Sequence, residues 1–174
     1  MSSPIVVNEY SDVTEVQEQH QYLTFMLKGE IFAIGILSIK EIIEYGKLTE
    51  VPSMPDFIRG VINLRGAVVP VVDLAARFGK TNTEIGRRTC IVIIEVNNAQ
   101  TTQVIGVMVD AVNAVLEIPS NQIEAAPSFG AKIRAEFIKG MGKIEGNFVI
   151  ILDVDKVLSQ DELDVATQVG EGAE

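Results

Sequence analysis

Tryptophan is absent from this 174-residue chain, histidine and cysteine occur once each, and aromatic residues make up only 6% of it. Each scarcity removes a class of function. A single cysteine, Cys90, rules out an intramolecular disulfide and fits a reducing compartment. It opens an apolar stretch, where a thiol behaves as a small hydrophobe. A single histidine, His20, supports neither a multi-histidine metal centre nor a Ser/His or Cys/His catalytic pair. No run approaches 18 apolar residues, and acids stand where a signal peptide would carry Lys or Arg, so a cytoplasmic chain is expected.

Positive charge is scarce where it would matter most. The net charge is −10, and it is concentrated at the ends. Glu9, Asp12, Glu15 and Glu18 lie within residues 1–19, and Asp161, Glu162, Asp164, Glu171 and Glu174 within 161–174, with no Lys or Arg in either segment. The body between them sets 15 acids against 14 bases. A nearly neutral body without a basic stripe argues against nucleic acid, because that binding needs clustered cations to displace counterions. An acidic, mobile arm is expected over 1–19 and an acidic tail over 161–174.

What the chain does contain is a copy of itself. FIRGVINLRGAVVPVVDL, Phe57 to Leu74, returns 80 residues later as FIKGMGKIEGNFVIILDV, Phe137 to Val154. Phe57/Phe137, Ile58/Ile138, Gly60/Gly140, Gly66/Gly146, Val69/Val149 and Asp73/Asp153 are identical. Upstream, the strand-like runs Tyr22 to Leu27 and Ile31 to Leu37 have equivalents in Cys90 to Val96 and Gln103 to Val109. Lys28, Gly29 and Glu30 read as the turn of the first hairpin. Mixed segments follow, Ser38 to Glu44 and Ala111 to Glu117, matching Ile39 with Val112, Ile42 with Val115 and Ile43 with Leu116. Each half, at about 65 residues, is marginal for a core of its own, so the two are expected to share one.

Helical signals are short. Ser53 with Pro55, and Asp73 to Gly79, carry caps for single turns, and only the segment from Asp155 onward supports a longer helix. Close-spaced strands with frequent glycine predict an all-β fold of two small barrels, one per repeat. Asp73 and Asp153 could form a carboxylate pair, but each follows a strand and precedes a helical turn, which makes N-capping the better reading. GMGKIEG, Gly140 to Gly146, fails as a phosphate loop, because Glu145 takes the third glycine position and a strand follows. Lys132, Arg134, Lys139 and Lys143 read as a solvated helical face.

The copies differ at informative places. Glu41 corresponds to Ala114 and Arg65 to Glu145, so an opposite-charge pair is available in one copy only. An exposed pair would contribute about 0–1 kcal/mol, a weak structural reason to hold it, although capping-box spacing from Ser38 and simple turn decoration compete with a recognition role. Pro70, within VVPVV, cannot donate a ladder hydrogen bond. It places its strand at an edge or a bulge, and an open apolar edge is a docking surface.

NLRGAVVPVVDLAARFG, Asn63 to Gly79, together with FIRG at Phe57, GVMVDAV at Gly106 and FIKGMG at Phe137, resembles the signature of the CheW family of chemotaxis coupling proteins across roughly residues 20–160. The resemblance implies two intertwined five-stranded SH3-like β-barrels, about 22–88 and 89–158, with strand exchange left open. Short helical turns and a C-terminal helix complete the expected fold. It implies no enzymatic activity and no cofactor. The expected partners are methyl-accepting chemotaxis receptors and the histidine kinase CheA, with the membrane reached only through receptors at the inner membrane.

Carried over by position, receptor contact is expected at Ile39, Glu41, Arg65, Cys90, Gly106, Val112, Val115 and Gly140, and kinase contact at Arg59 and Gly60. Ala75 departs from the family's frequent arginine, and Cys90 from its usual aliphatic residue. A coupling protein of another array, twitching or developmental, is the alternative within the class. A small-molecule-binding β-barrel is the alternative outside it.

Overall fold

The computed structural model describes residues 20–80, 82–97, 102–125 and 135–157. Strands β1 (Gln21–Leu27) and β2 (Glu30–Gly35) form a hairpin, and a 3-10 turn, Ile36–Ser38, leads into β3 (Ile39–Glu44). Next come β4 (Ile58–Leu64), β5 (Ala67–Asp73) and the one-turn helix α1 (Leu74–Arg77). The second half repeats this order as β6 (Cys90–Asn97), β7 (Thr102–Val109), β8 (Ala111–Glu117), the two-residue β9 (Ile123–Glu124), β10 (Ile138–Ile144), β11 (Asn147–Leu152) and α2 (Val154–Val157). Lys28–Gly29, Arg65–Gly66 and Glu145–Gly146 all have positive φ at both residues, as two-residue hairpin turns of the primed type require.

The halves are interwoven. One sheet runs β8-β1-β2-β11-β10-β9 and the other β3-β6-β7-β5-β4, so each barrel borrows the opening hairpin of the other half. The exchange is sealed by short parallel ladders, Ile150 and Ile151 of β11 beside Phe32 and Ala33 of β2, and Val71 to Asp73 of β5 beside Gly106 to Met108 of β7. Each barrel keeps a small core of its own: Tyr22, Ala33, Ile118, Val149 and Ile151 in one, and Val71, Ile91, Ile93 and Met108 in the other.

Between the barrels lies the shared core expected from the halves' small size. It runs from Leu23, Phe25 and Phe32 through Val92 and Ile94 to Phe137 and Leu152. Phe25, Phe32, Phe78 and Phe137 form a chain of rings through it, with successive centroids 6.2, 5.7 and 5.7 Å apart. Burying each such ring stabilises the fold by about 1.5–3 kcal/mol.

Several local expectations are revised. Residues 51–57 form turns rather than a helix, with Ser53 at φ 64°. Ser38 to Glu44 and Ala111 to Glu117 are mainly strand, which removes the capping-box reading of Ser38 and Glu41. Lys139 and Lys143 sit on β10, not on a helix, while Lys132 and Arg134 lie outside the described residues, as do both acidic ends and the chain beyond Val157.

Pro70 is on neither an edge nor a bulge, because β5 lies between β4 and β7. The fold tolerates it there for a local reason. The parallel ladder to β7 starts at Val71, one residue later. Across the sheet, Val61 turns both backbone groups away from Pro70 to bond Thr49 at 2.9 Å. In the second copy, Ile150 has its N–H and the parallel ladder starts there, one residue earlier.

Candidate functional site

β3 and β8, each one edge of its sheet, are repeat equivalents, and each carries a bulge that rearranges its apolar residues. Lys40 is the extra residue between Ile39, opposite Ile94, and Glu41, opposite Ile93. Asn113 is the extra residue between Val112, opposite Phe25, and Ala114, opposite Thr24. A bulge shifts the two-residue alternation by one. Ile39 and Ile42 therefore share a face, as do Val112 and Val115, and both faces look toward the shared core.

Ile39, Cys90 and Val112 pack against that core, while Ile42 and Val115 project further out, 44% and 48% exposed. Ile39, with Cys90 on the neighbouring strand, and Val112 thus border the shared core from equivalent edge strands, with Val115 further out on the same face of β8. The structure adds Ile42, which sequence reasoning did not nominate, although its equivalence to Val115 was available as a signal. Leu37, 59% exposed in the 3-10 turn leading into β3, is a second apolar residue at this crossover that was missed.

Glu41 and Arg65 do meet, at 2.7 Å between Oε2 and Nη1. Glu41 alternates with Ile42 along β3 and so faces the first barrel's own side of the sheet. Arg65, 75% exposed, occupies the β4–β5 turn, which Asn63 steadies by accepting the Gly66 N–H at 3.0 Å. Because β3 and β4 are opposite edges of the five-stranded sheet, the pair bridges the barrel's seam. Gly106 and Gly140 are buried. A Cβ on Gly106 would lie 2.7 Å from Ile91 Cγ2, and one on Gly140 would lie 2.5 Å from Ile123 Cγ2. These glycines shape the sheets and offer no side chain to a partner.

Arg59 and Gly60 lie on β4. Arg59 Nη1 donates to Asp73 Oδ2 at 3.0 Å, and Asp73 is fully buried. The same carboxylate caps α1 by accepting from Ala75 N at 3.1 Å and Ala76 N at 3.4 Å. It also accepts from the Thr83 N–H and hydroxyl, each at 2.8 Å. N-capping is thus confirmed for Asp73, with an ion pair added that its sequence context did not reveal. Gly60 is buried at φ 156° beside a bulge, with its Cα hydrogen against the Thr49 carbonyl.

The cavities formed by the described residues are small or open. The enclosed space in the shared core measures about 10 Å³ and is lined by apolar side chains such as Ile34, Leu74, Ile94 and Val154; that is room for about one water and no organic ligand. A more open cleft of about 410 Å³ is lined by His20, Tyr22, Leu37, Ser38 and Lys139, but no hydrogen bond joins these side chains into a nucleophile–base relay. Among the described residues no three His, Cys, Asp or Glu converge as metal ligands, and no helix is long and apolar enough to cross a membrane.

Burial, reinforced by the Glu44 carboxylate and opposed by Arg88, raises the Cys90 thiol above its ordinary pKa. Only the thiolate is alkylated, so at pH 7.5 Cys90 should react with iodoacetamide more slowly than a cysteine in an unstructured peptide. Its rate should go on rising beyond the pH at which the peptide levels off. A rate equal to the peptide's would contradict this placement.

Comparison with known proteins converges on one family. The CheW-like domain family model matches residues 21–162. The chain is similar to the chemotaxis protein CheW of Klebsiella aerogenes, 33% identical over 149 residues that cover 86% of this chain and 87% of that one. Similarity to CheW of Bacillus subtilis is 33% over 147 residues, covering 84% and 92%. The crystal structure of the scaffolding protein TtCheW from Thermoanaerobacter tengcongensis superposes with a TM-score of 0.74 at 30% identity, covering 83% of this chain and 90% of that one.

Proposed function

Because the chain belongs to the CheW-like domain family of non-catalytic chemotaxis scaffolds, we propose that it couples methyl-accepting chemoreceptors to the histidine kinase CheA in the cytoplasm, in arrays at the inner membrane. The observation that carries this reading is the paired apolar border, Ile39 and Ile42 on one free edge strand and Val112 and Val115 on its equivalent, flanking a common core. A receptor's helical tip presents apolar residues at i, i+3 and i+4, and such a stripe suits a groove walled by two apolar edges. Cys90 lies within this groove, Gly106 and Gly140 keep its walls close-packed, and the Glu41–Arg65 pair orients an approaching bundle from the barrel seam.

The kinase takes the β4 face of the first barrel. Arg59, held by Asp73, presents its remaining guanidinium N–H groups there, and Gly60 sets the local backbone. Two separate surfaces on one rigid body allow both partners at once. Signal then passes as a difference in contact between two receptor states.

The test is reconstitution of kinase, receptor cytoplasmic fragment and this chain. Kinase activity should rise only when all three are present. Ile42→Glu and Val115→Glu should each weaken receptor binding about tenfold, or 1.4 kcal/mol, with kinase binding kept. Arg65→Glu should weaken receptor binding less and leave the fold intact, since an exposed ion pair contributes about 0–1 kcal/mol. Undiminished receptor binding by folded Ile42→Glu and Val115→Glu would refute the groove. Absence of stimulation by the unaltered chain would refute the coupling role.

A further inference from the structure

Arg77 and Val157 stand 80 residues apart, the spacing that relates Phe57 to Phe137, so all four occupy equivalent places in the two copies. In the structure they come together. Arg77 Nε donates to the Val157 carbonyl at 2.6 Å, and its guanidinium carbon lies 4.9 Å from the Phe57 ring centroid and 4.8 Å from that of Phe137. Contact between equivalent residues, flanked by equivalent rings at matched distances, puts Arg77 on the pseudo-twofold axis that relates the barrels.

Each ring is tied to its own barrel. The Phe57 carbonyl accepts the Asp73 N–H at 2.7 Å and the Phe137 carbonyl accepts the Asp153 N–H at 2.9 Å, at the ends of β5 and β11. Arg77 therefore joins the β4–β5 hairpin of one barrel to the β10–β11 hairpin of the other. The remaining contact between barrels is dominated by the shared apolar core, which is attractive but not directional. Beside it, the Asn97 N–H donates to Asp155 Oδ1 at 2.8 Å and Lys80 pairs with Glu30 at 3.7 Å, single-point contacts that do not join equivalent positions. A planar guanidinium between two rings, with one N–H fixed on a carbonyl, is directional.

We propose that Arg77 is a positioning residue that fixes the mutual placement of the two barrels, and so transmits occupancy of the β3/β8 groove to the β4 face. The inference rests on the coupling role argued above. It explains why one member of a symmetric pair of positions is arginine: only one side chain fits on the axis, and the other copy supplies its backbone carbonyl.

Arg77→Met keeps the length and apolar bulk of the side chain but loses its charge and its fork. Binding to receptor fragment and to kinase, each alone, should stay within about twofold, while activation in the three-component mixture falls about fivefold or more, the usual size of a coupling effect. Spin labels at A67C and N147C, exposed and equivalently placed on β5 and β11, should give a narrow distance distribution on a C90S background. The distribution should broaden when Arg77→Met is added. Arg77→Lys, which retains a cation between the rings, should fall between the two in both measurements, and it decides the matter if Arg77→Met does not fold.

The inference is overturned if the distances are unaltered, or if activation falls only in step with the binary affinities and the melting temperature, as for a merely stabilising arginine. The distance measurement needs no partner. A failure of the unaltered chain to activate kinase would therefore strike the coupling role alone, and the positioning role of Arg77 would still stand or fall on the spin-label distances.

Discussion

Asp73→Ala is expected to lower the free energy of unfolding by about 3–5 kcal/mol, whereas Asp153→Ala, at the equivalent place in the other copy, should cost about 1 kcal/mol or less. The two aspartates share sequence context and differ in what surrounds them. Asp73 is 0% exposed and holds five hydrogen bonds, from Arg59, Ala75, Ala76 and both donors of Thr83. Removing it leaves a partly buried guanidinium without its counter-charge and frees buried N–H groups, and each such group carries a desolvation cost of about 1–3 kcal/mol. Asp153 is more exposed, and its carboxylate contacts only the mostly exposed Lys156, at 4.0 Å, among the described residues.

A loss of 3–5 kcal/mol is a large share of the roughly 5–15 kcal/mol that holds a domain folded. Urea denaturation followed by circular dichroism, since the chain has no tryptophan, measures both variants. Equal losses would mean that the Asp73 network is ordinary capping. The network also bears on the kinase contact proposed for Arg59. Arg59 is held from beneath by a residue 14 positions away, so a milder Asp73→Asn should release Arg59 and disturb the β4 face before it unfolds the barrel.

The sequence exposed whatever depends on local chemistry or on comparing the two copies. The Lys28–Gly29 and Arg65–Gly66 turns follow from their residues, because a two-residue hairpin turn needs positive φ that glycine supplies without cost. The Glu41–Arg65 pair emerged because Ala114 and Glu145 cannot form it. Strand exchange was a different matter. The alternation of β2 says which side chains are buried but not that Phe32 and Ala33 lie beside Ile150 and Ile151, more than a hundred residues away.

Bulges hid in the same way. Ile39 and Ile42 share a face only because Lys40 is looped out, and without that shift the pattern pairs Ile39 with Glu41. Pro70 misled because a proline excluded from a hydrogen-bonded pair looks the same in sequence whether the strand is an edge or its neighbour's ladder begins one residue later. Thr83 on Asp73 and Arg77 between two phenylalanines are tertiary contacts with no local signature.

Gly60→Ala should destabilise by about 2–4 kcal/mol, combining an overpacking cost of about 1–3 kcal/mol with the strain of a side chain at φ 156°. The new Cβ would lie 2.5 Å from the Thr49 carbonyl oxygen, 3.1 Å from its carbon and 3.2 Å from Leu48 Cβ. That oxygen also accepts the Val61 N–H at 2.9 Å, so relieving the clash pulls residues 48–49 off β4 and opens the barrel at that edge. Gly140→Ala meets a side-chain methyl of Ile123 at 2.5 Å and, less closely, the Glu124 carbonyl oxygen at 3.2 Å, and has no φ in the left-handed range. β9 is only two residues long and can shift, so its cost should be nearer 1 kcal/mol.

The consequence for partner binding is specific. If Gly60 touches the kinase directly, Gly60→Ala should weaken kinase binding far more than receptor binding at temperatures where the variant is still folded. Its burial and its fit against Thr49 predict instead that both bindings fall together, following the unfolded fraction. An equal loss, measured by calorimetry below the melting transition of each variant, assigns Gly60 to the backbone and leaves Arg59 as the residue that meets the kinase. A selective loss of kinase binding in a fully folded Gly60→Ala protein would return Gly60 to the contact surface.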